Sequence, residues 1–90
     1  MKRSMLDILA CPIDKHYPLE LVEVQVDNEE EIKEGALVCS KCGRYYPIID
    51  DIPVMLPDEL RDRQRDINFL EKWKDRLPDK VLKQGNPWHL

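Results

Sequence analysis

The stretch CSKCGRYYPIIDDIPVML, residues 39–56, joins a pair of cysteines to an apolar run. Cys39 and Cys42 are separated by two residues and followed by Gly43, which suits the tight turn of a metal-binding knuckle. A tetrahedral metal site needs two further ligands from elsewhere in the chain. The sequence therefore predicts a second loop folded against this one, as in a zinc ribbon.

The third cysteine, Cys11, opens the segment CPIDKH in an earlier loop. Asp14 completes a Cys-x-x-Asp pattern there and His16 a Cys-x-x-x-x-His pattern, and both alternatives stay open. Imidazole is the commoner partner of three thiolates, whereas Asp14 holds the better position on a knuckle turn. One interpretation is a closed structural zinc site with no catalytic role. The other is a metal-free ribbon whose cysteines are small buried apolar residues.

Composition and charge restrict the class of protein. The chain has 90 residues, 42% of them apolar, and a net charge of −4. Residues 1–57 carry 6 basic and 11 acidic side chains, which disfavours a basic nucleic-acid-binding surface. Three cysteines are an odd number, which argues against a disulfide framework. Since neither a signal peptide nor a membrane-spanning run is recognised, we expect a reducing, cytoplasmic setting.

Alternating apolar and polar residues predict an antiparallel sheet. The strand candidates are residues 19–26, 36–39, 44–49 and 52–56, with a solvated turn over 27–35. Pro53 cannot donate a ladder hydrogen bond, which places the last strand at a sheet edge. Ser4 is expected to cap a short N-terminal helical turn that buries Ile8. Of Tyr45 and Tyr46, one is expected in the core and the other outside it.

Beyond residue 57 the pattern becomes helical. An apolar stripe runs through residues 58–77, and a second short helix lies between Pro78 and Gly85. The stripe consists of Leu60, Ile67, Leu70, Trp73 and Leu77. We predict an α+β fold: a zinc-ribbon-like antiparallel sheet over residues 1–57, with an N-terminal helical turn, and a helical extension over 58–90. Trp73 and Trp88 are expected to anchor that extension on the sheet, because a short ribbon needs additional core.

The signature Cys-x-x-Cys-Gly-x-x-Tyr-Pro-Ile-x-Asp-x-Ile-Pro-x-x-Leu, with LDILACP near the start, resembles the small zinc-ribbon activator subunits of methyltransferases. The family is the Trm112-like family, the chain looks like its archaeal short form, and the resemblance covers residues 1–57. It implies a non-catalytic subunit that forms heterodimers with S-adenosylmethionine-dependent methyltransferases. Those enzymes modify tRNA, rRNA and a translation release factor. Family members usually have four metal ligands, with a cysteine where this chain has Asp14 or His16.

The resemblance also implies how the partner is bound. In the family an edge strand of the activator extends the sheet of the catalytic subunit. By position that strand is Ile52, Pro53, Val54, Met55 and Leu56. An apolar edge strand is a liability in a free protein and an advantage when a partner covers it. We expect no catalytic residue and no direct nucleic-acid binding; the alternative is a nucleic-acid-binding zinc ribbon of the transcription or translation machinery.

Overall fold

Four antiparallel strands lie in the sheet in the order in which they follow along the chain. The computed structural model describes all residues, 1–90. The strands are β1 (Glu20–Val26), β2 (Ile32–Val38), β3 (Tyr45–Ile49) and β4 (Ile52–Pro53). The order β1-β2-β3-β4 confirms the predicted antiparallel sheet and leaves β1 and β4 at its two edges.

Strand β2 begins at Ile32 rather than at Ala36, so part of the predicted acidic turn is strand. Ile32 is fully buried and pairs with Val26 of β1. Glu34 is buried as well, because its carboxylate accepts the Asp50 backbone N–H at 2.6 Å. A buried carboxylate is tolerated when it is hydrogen-bonded, and the charge pattern of the segment alone did not indicate this partner.

The turn between β3 and β4 consists of Asp50 and Asp51, both with positive φ, 51° and 71°. Two left-handed residues in a two-residue hairpin loop match the twist of the strands, and Asp tolerates this conformation. The following strand covers only Ile52–Pro53, shorter than the predicted 52–56. The Val54 N–H still donates to the Pro47 carbonyl at 2.8 Å, which extends the contact by one residue.

Both faces of the sheet are covered, and for this reason Tyr45 and Tyr46 are both buried. Successive strand residues point to opposite faces. Tyr45 therefore packs against the C-terminal helices and Tyr46 against the N-terminal segment. Both are fully buried, so the prediction that one of them faces outward was wrong. The strand period of two assigns the two side chains to opposite faces, but it does not show that both faces of the sheet are covered.

The N-terminal segment covers one face with a 3-10 helix, Arg3–Asp7. Its first residue follows Lys2, and no side chain caps it, so the expected Ser4 cap is absent. Ile8 is 78% exposed rather than buried, because the helix ends at Asp7 and Ile8 leaves its packed side. The apolar side chains that pack on this face are Met5, Leu6 and Leu9.

The C-terminal segment covers the other face. It contains a 3-10 turn (Asp58–Leu60), α1 (Arg63–Lys72) and α2 (Asp79–Leu82). The buried side chains Phe69, Leu70, Leu77, Val81 and Leu82 form one core with the sheet, and Trp73 and Trp88 pack against it partly buried.

The helical stripe predicted over residues 58–77 is broken near its start. Asp62 caps α1 by accepting the Arg65 N–H at 3.1 Å, so the helix begins after residue 62. Leu60 lies in the separate 3-10 turn and is 65% exposed, and its predicted place on the stripe was wrong. The division into a 1–57 unit and a 58–90 unit stays a prediction. None of the helices has the length and apolar character needed to cross a bilayer.

Candidate metal centre and sheet edge

The first predicted knuckle, residues 11–16, is closed by two backbone hydrogen bonds. The Cys11 N–H donates to the His16 carbonyl at 3.0 Å, and the Lys15 N–H donates to the Cys11 carbonyl at 2.8 Å. Lys15 adopts the left-handed conformation with φ 64°. The turn thereby folds back on itself and places the Asp14 side chain on the same side as the Cys11 thiol.

The second knuckle, residues 39–44, has the same pattern. The Cys39 N–H donates to the Arg44 carbonyl at 2.9 Å, and the Gly43 N–H donates to the Cys39 carbonyl at 2.8 Å. Gly43 has φ 77°, a value that glycine adopts at little cost. The fifth residue is left-handed in both loops.

The two knuckles are therefore equivalent position by position. Asp14 occupies in the first loop the place that Cys42 occupies in the second, and His16 occupies the place of Arg44. In a Cys-x-x-Cys knuckle the first and fourth residues supply the ligands. The backbone geometry thus gives Asp14, and not His16, the position of a ligand.

Four side chains converge between the knuckles. Their ligand atoms lie within 4.8 Å of one another, and they are Cys11, Asp14, Cys39 and Cys42. The Cys11 and Cys42 sulfurs are 3.8 Å apart, and the Cys39 sulfur lies 3.5 and 3.6 Å from the two Asp14 oxygens.

The Cys11–Cys42 and Cys39–Asp14 separations match those of a tetrahedral zinc site. With Zn–S near 2.3 Å and Zn–O near 2.1 Å, two sulfurs are about 3.8 Å apart and a sulfur and an oxygen about 3.6 Å. The donor set of three thiols and one carboxylate therefore fits a zinc ion.

His16 lies outside this group. Its Nε2 atom is 3.1 Å from the Ser40 hydroxyl, and its backbone N–H donates to Asp14 Oδ1 at 2.9 Å. The His16 side chain thus joins the two knuckles at their outer surface, while its backbone orients the Asp14 carboxylate.

The local electrostatics favour an ionised Asp14. The His16 N–H, followed by the neighbouring thiols, lowers the pKa of Asp14 to about 2. Burial raises the pKa of Cys39 to about 11. For Cys11 burial acts in the same upward direction, but hydrogen bonds from Tyr46 and from the backbone of the loop outweigh it and lower the pKa.

Tyr46 is a residue of the site that the sequence reasoning missed. Its hydroxyl lies 3.1 Å from the Cys11 sulfur, and both residues are fully buried. The strand period of two puts Tyr46 and Ile48 on one face, and the Cys11 loop lies on that face as well. The period was available from the sequence, but the position of the Cys11 loop was not.

The predicted partner strand lies at the β4 edge of the sheet. Ile52 is 64% exposed, although it pairs with Ile49 on its inner side. The next four residues of the predicted strand are partly buried: Pro53, Val54, Met55 and Leu56. Met55 packs on the core that contains Cys11 and Tyr46. The structure thus presents one large exposed apolar side chain in β4 beside a less exposed run.

Comparison with known proteins gives matches to the part of the chain that contains the two knuckles. The family model described as Trm112p-like protein matches residues 2–51. A UPF0434 protein of Nitrosococcus oceani is 41% identical over 61 residues, 68% of this chain and 86% of that protein. A UPF0434 protein of Ectopseudomonas mendocina is 51% identical over 61 residues, 68% of this chain and 84% of that protein.

A solved structure is also similar. It is the Haloferax volcanii Trm112 methyltransferase activator, determined in complex with a candidate methyltransferase. Its TM-score is 0.63 at 44% sequence identity, covering 68% of this chain and 100% of that chain. The family model, the relatives and the fold agree with the signature of residues 39–56, and the chain belongs to the Trm112p-like family.

Proposed function

We propose that this chain is a non-catalytic activating and stabilising subunit of S-adenosylmethionine-dependent methyltransferases. The observation that carries the proposal is its similarity to the Haloferax volcanii activator, which was solved bound to a candidate methyltransferase. By extension from the family, the enzymes served act on tRNA, rRNA or a translation release factor in the cytoplasm. The subunit stabilises the folded enzyme by binding it, so its effect follows from mass action.

The proposed contact is strand addition at β4. The opposite edge, β1, is protected by charge: Glu20 is paired with Lys80, and Glu23 with Arg3. Charged side chains on an edge strand discourage pairing with another chain. The β4 edge instead carries the exposed Ile52 and continues into the apolar residues 54–56. Main-chain hydrogen bonds to a partner strand would supply affinity, and Ile52 with its neighbours would supply specificity.

We further propose that Cys11, Asp14, Cys39 and Cys42 hold a structural zinc ion. The support is the match between their separations and those of a tetrahedral site, together with the equivalence of the two knuckles. Three thiolates and a carboxylate form a closed site, since four protein ligands leave no position for a substrate. Zinc would supply cross-linking of the two loops and no chemistry on a methyl group.

The experiment that tests the activator function compares two matched edge variants. Ile52→Asp places a charge on β4, and Val26→Asp places one at another exposed position, 45%, on the β1 edge. Tagged wild-type and variant chains are used to capture partners from native lysate, which are identified by mass spectrometry. Binding to each purified methyltransferase is then measured by calorimetry.

We expect the wild-type chain and Val26→Asp to retain a methyltransferase in near-stoichiometric amount and Ile52→Asp to lose it. Both substitutions are on the surface, so neither should change the melting temperature strongly. Equal binding by both variants would contradict the β4 contact. Recovery of RNA or ribosomal proteins, with no methyltransferase, would instead favour the nucleic-acid-binding ribbon.

A further inference from the structure

Asn86 of the C-terminal segment makes several contacts with the second knuckle and the strand residue that follows it. The Asn86 side-chain amide donates to the Cys42 carbonyl at 2.9 Å. Its backbone N–H donates to the Gly43 carbonyl at 3.1 Å, and its carbonyl accepts the Tyr45 N–H at 3.3 Å. Three hydrogen bonds thus join a single asparagine to the loop that carries Cys42, across more than forty residues of sequence.

Arg44, the last residue of that knuckle, is held by the same segment. The Arg44 guanidinium donates to Asp58 through Nε at 2.9 Å and Nη2 at 2.8 Å, a bidentate geometry. Such paired, charge-assisted bonds fix the direction of a side chain as well as its position. Every residue from Cys42 to Tyr45 is therefore hydrogen-bonded to the C-terminal segment, whereas no hydrogen bond joins that segment to the first knuckle.

Asn86 is itself held in place by residues on both sides. Gly85 is buried against the Tyr45 ring, where a side chain would have no room. The Trp88 indole N–H donates to Asp66 Oδ2 at 3.0 Å, and this oxygen also accepts from Arg61. Asn86 is itself exposed. Because Gly85 is buried on one side of it and Trp88 is bonded to the buried Asp66 on the other, Asn86 offers the knuckle a positioned set of donors and acceptors.

We propose that residues 58–90 act as an outer support of the metal centre, with Asn86 as the positioning residue for Cys42. The proposal rests on the zinc site proposed above and assigns a role to a segment that lies outside the family match at 2–51. Outer-shell groups that orient metal ligands commonly change metal affinity by about 10- to 100-fold when they are removed. By thermodynamic reciprocity, zinc binding then favours the docked state of the C-terminal segment.

The chain offers a direct way to test this coupling. Both tryptophans, Trp73 and Trp88, lie in the C-terminal segment, so intrinsic fluorescence reports its docking. The full-length variants Asn86→Ala and Asn68→Ala are compared with the wild-type chain. Asn68 is the matched control, because its side chain accepts only from Gln64 on the exposed side of α1. Zinc affinity is measured by competition with a chromogenic chelator, and tryptophan emission is recorded during urea titration with and without Zn²⁺.

We expect Asn86→Ala to weaken zinc binding about tenfold and to reduce the zinc-induced shift of the urea midpoint. Asn68→Ala should stay within about twofold of the wild type, as expected for an exposed side chain. A wild-type affinity in Asn86→Ala would overturn the coupling while leaving the metal site in place. A wild-type chain that binds no zinc would overturn the metal site and the coupling together, and neither result alters the β4 test of the activator function.

A measurement on the wild-type chain covers the case in which Asn86→Ala does not fold. The N–H groups of Asn86 and Tyr45 close the contact between the segment and the knuckle. Zinc should slow hydrogen exchange at both amides, since local opening there breaks the knuckle. Unchanged exchange at these amides in the zinc-loaded chain would count against the proposal.

Discussion

The hydroxyl of Tyr46 lies 3.1 Å from the sulfur of Cys11, and both side chains are fully buried. A metal-bound thiolate carries no proton, so in the loaded site Tyr46 is the donor of this hydrogen bond. The adjacent Tyr45 points to the other face of the sheet, and its buried hydroxyl has no hydrogen-bond partner. Of the two neighbouring tyrosines, only Tyr46 has a hydroxyl that can donate a hydrogen bond to a candidate metal ligand.

Tyr46→Phe is predicted to weaken zinc binding by about 10- to 100-fold, because it removes a hydrogen bond that orients a ligand without changing the shape of the core. Tyr45→Phe is the control. It removes an unpaired hydroxyl, so zinc affinity should be unchanged and stability equal or higher. Chelator competition and the Co²⁺ charge-transfer spectrum measure both variants. Equal losses in the two would contradict a specific role for Tyr46.

The ligand set predicts a second contrast, between Asp14 and His16. Asp14→Asn should weaken zinc binding by at least tenfold, because the amide lacks the charge of the carboxylate. His16→Asn should stay within about threefold of the wild-type affinity, since the His16 ring contacts Ser40 rather than the metal centre. Asp14→Cys should bind zinc more tightly than the wild type, because thiolate is the softer ligand. A large loss in His16→Asn together with a small one in Asp14→Asn would assign the fourth ligand to His16.

The sequence predicts the elements of this fold better than it predicts their surroundings. The knuckle of Cys39 and Cys42, the edge position of Pro53 and the helix that follows Pro78 are confirmed because each depends on local chemistry. The burial of both Tyr45 and Tyr46 was missed because it depends on the two distant segments that cover the sheet. The period of a strand assigns a side chain to a face but does not say whether that face is covered.

At the candidate site, too, local sequence patterns did not show the contacts between distant segments. The sequence left Asp14 and His16 open because spacing alone is compatible with either. The equivalence of the two loops depends on the left-handed backbone of Lys15 and Gly43, and lysine gives no sequence signal for that conformation. The role of Asn86 depends on a contact between segments far apart in the chain, which no local pattern indicates.

The ion pair between Arg44 and Asp58 predicts a pH dependence. The Arg44 guanidinium lowers the pKa of Asp58 below its ordinary value of 3.8. The contribution of the Arg44–Asp58 pair to stability is therefore complete above the ordinary pKa of Asp58. It is lost as the pH falls through the lower pKa that Asp58 has in the folded state. Melting temperatures of the metal-free chain are measured in EDTA from about pH 6 down to about pH 2. As the pH falls, the melting temperature should drop more steeply for the wild type than for Asp58→Asn. Parallel curves would show that this pair does not contribute to acid unfolding.

The pair of Arg61 and Asp66 is the buried counterpart of the exposed pair between Lys80 and Glu20. Both side chains of the buried pair are inaccessible to solvent, and Arg61 also donates to the Tyr45 carbonyl at 2.6 Å. Removing one member of a buried pair leaves an uncompensated charge, which costs about 3–5 kcal/mol. An exposed pair contributes about 1 kcal/mol or less.

Asp66→Ala is accordingly predicted to lower the free energy of unfolding by about 3–5 kcal/mol, whereas Lys80→Gln should lower it by about 1 kcal/mol or less. Urea titration of each chain in EDTA measures both, with the slope checked for constancy. The double replacement Arg61→Met with Asp66→Leu should recover part of the loss, because an apolar pair leaves no buried charge. If Asp66→Ala costs no more than Lys80→Gln, the Arg61–Asp66 pair does not hold the C-terminal segment on the sheet.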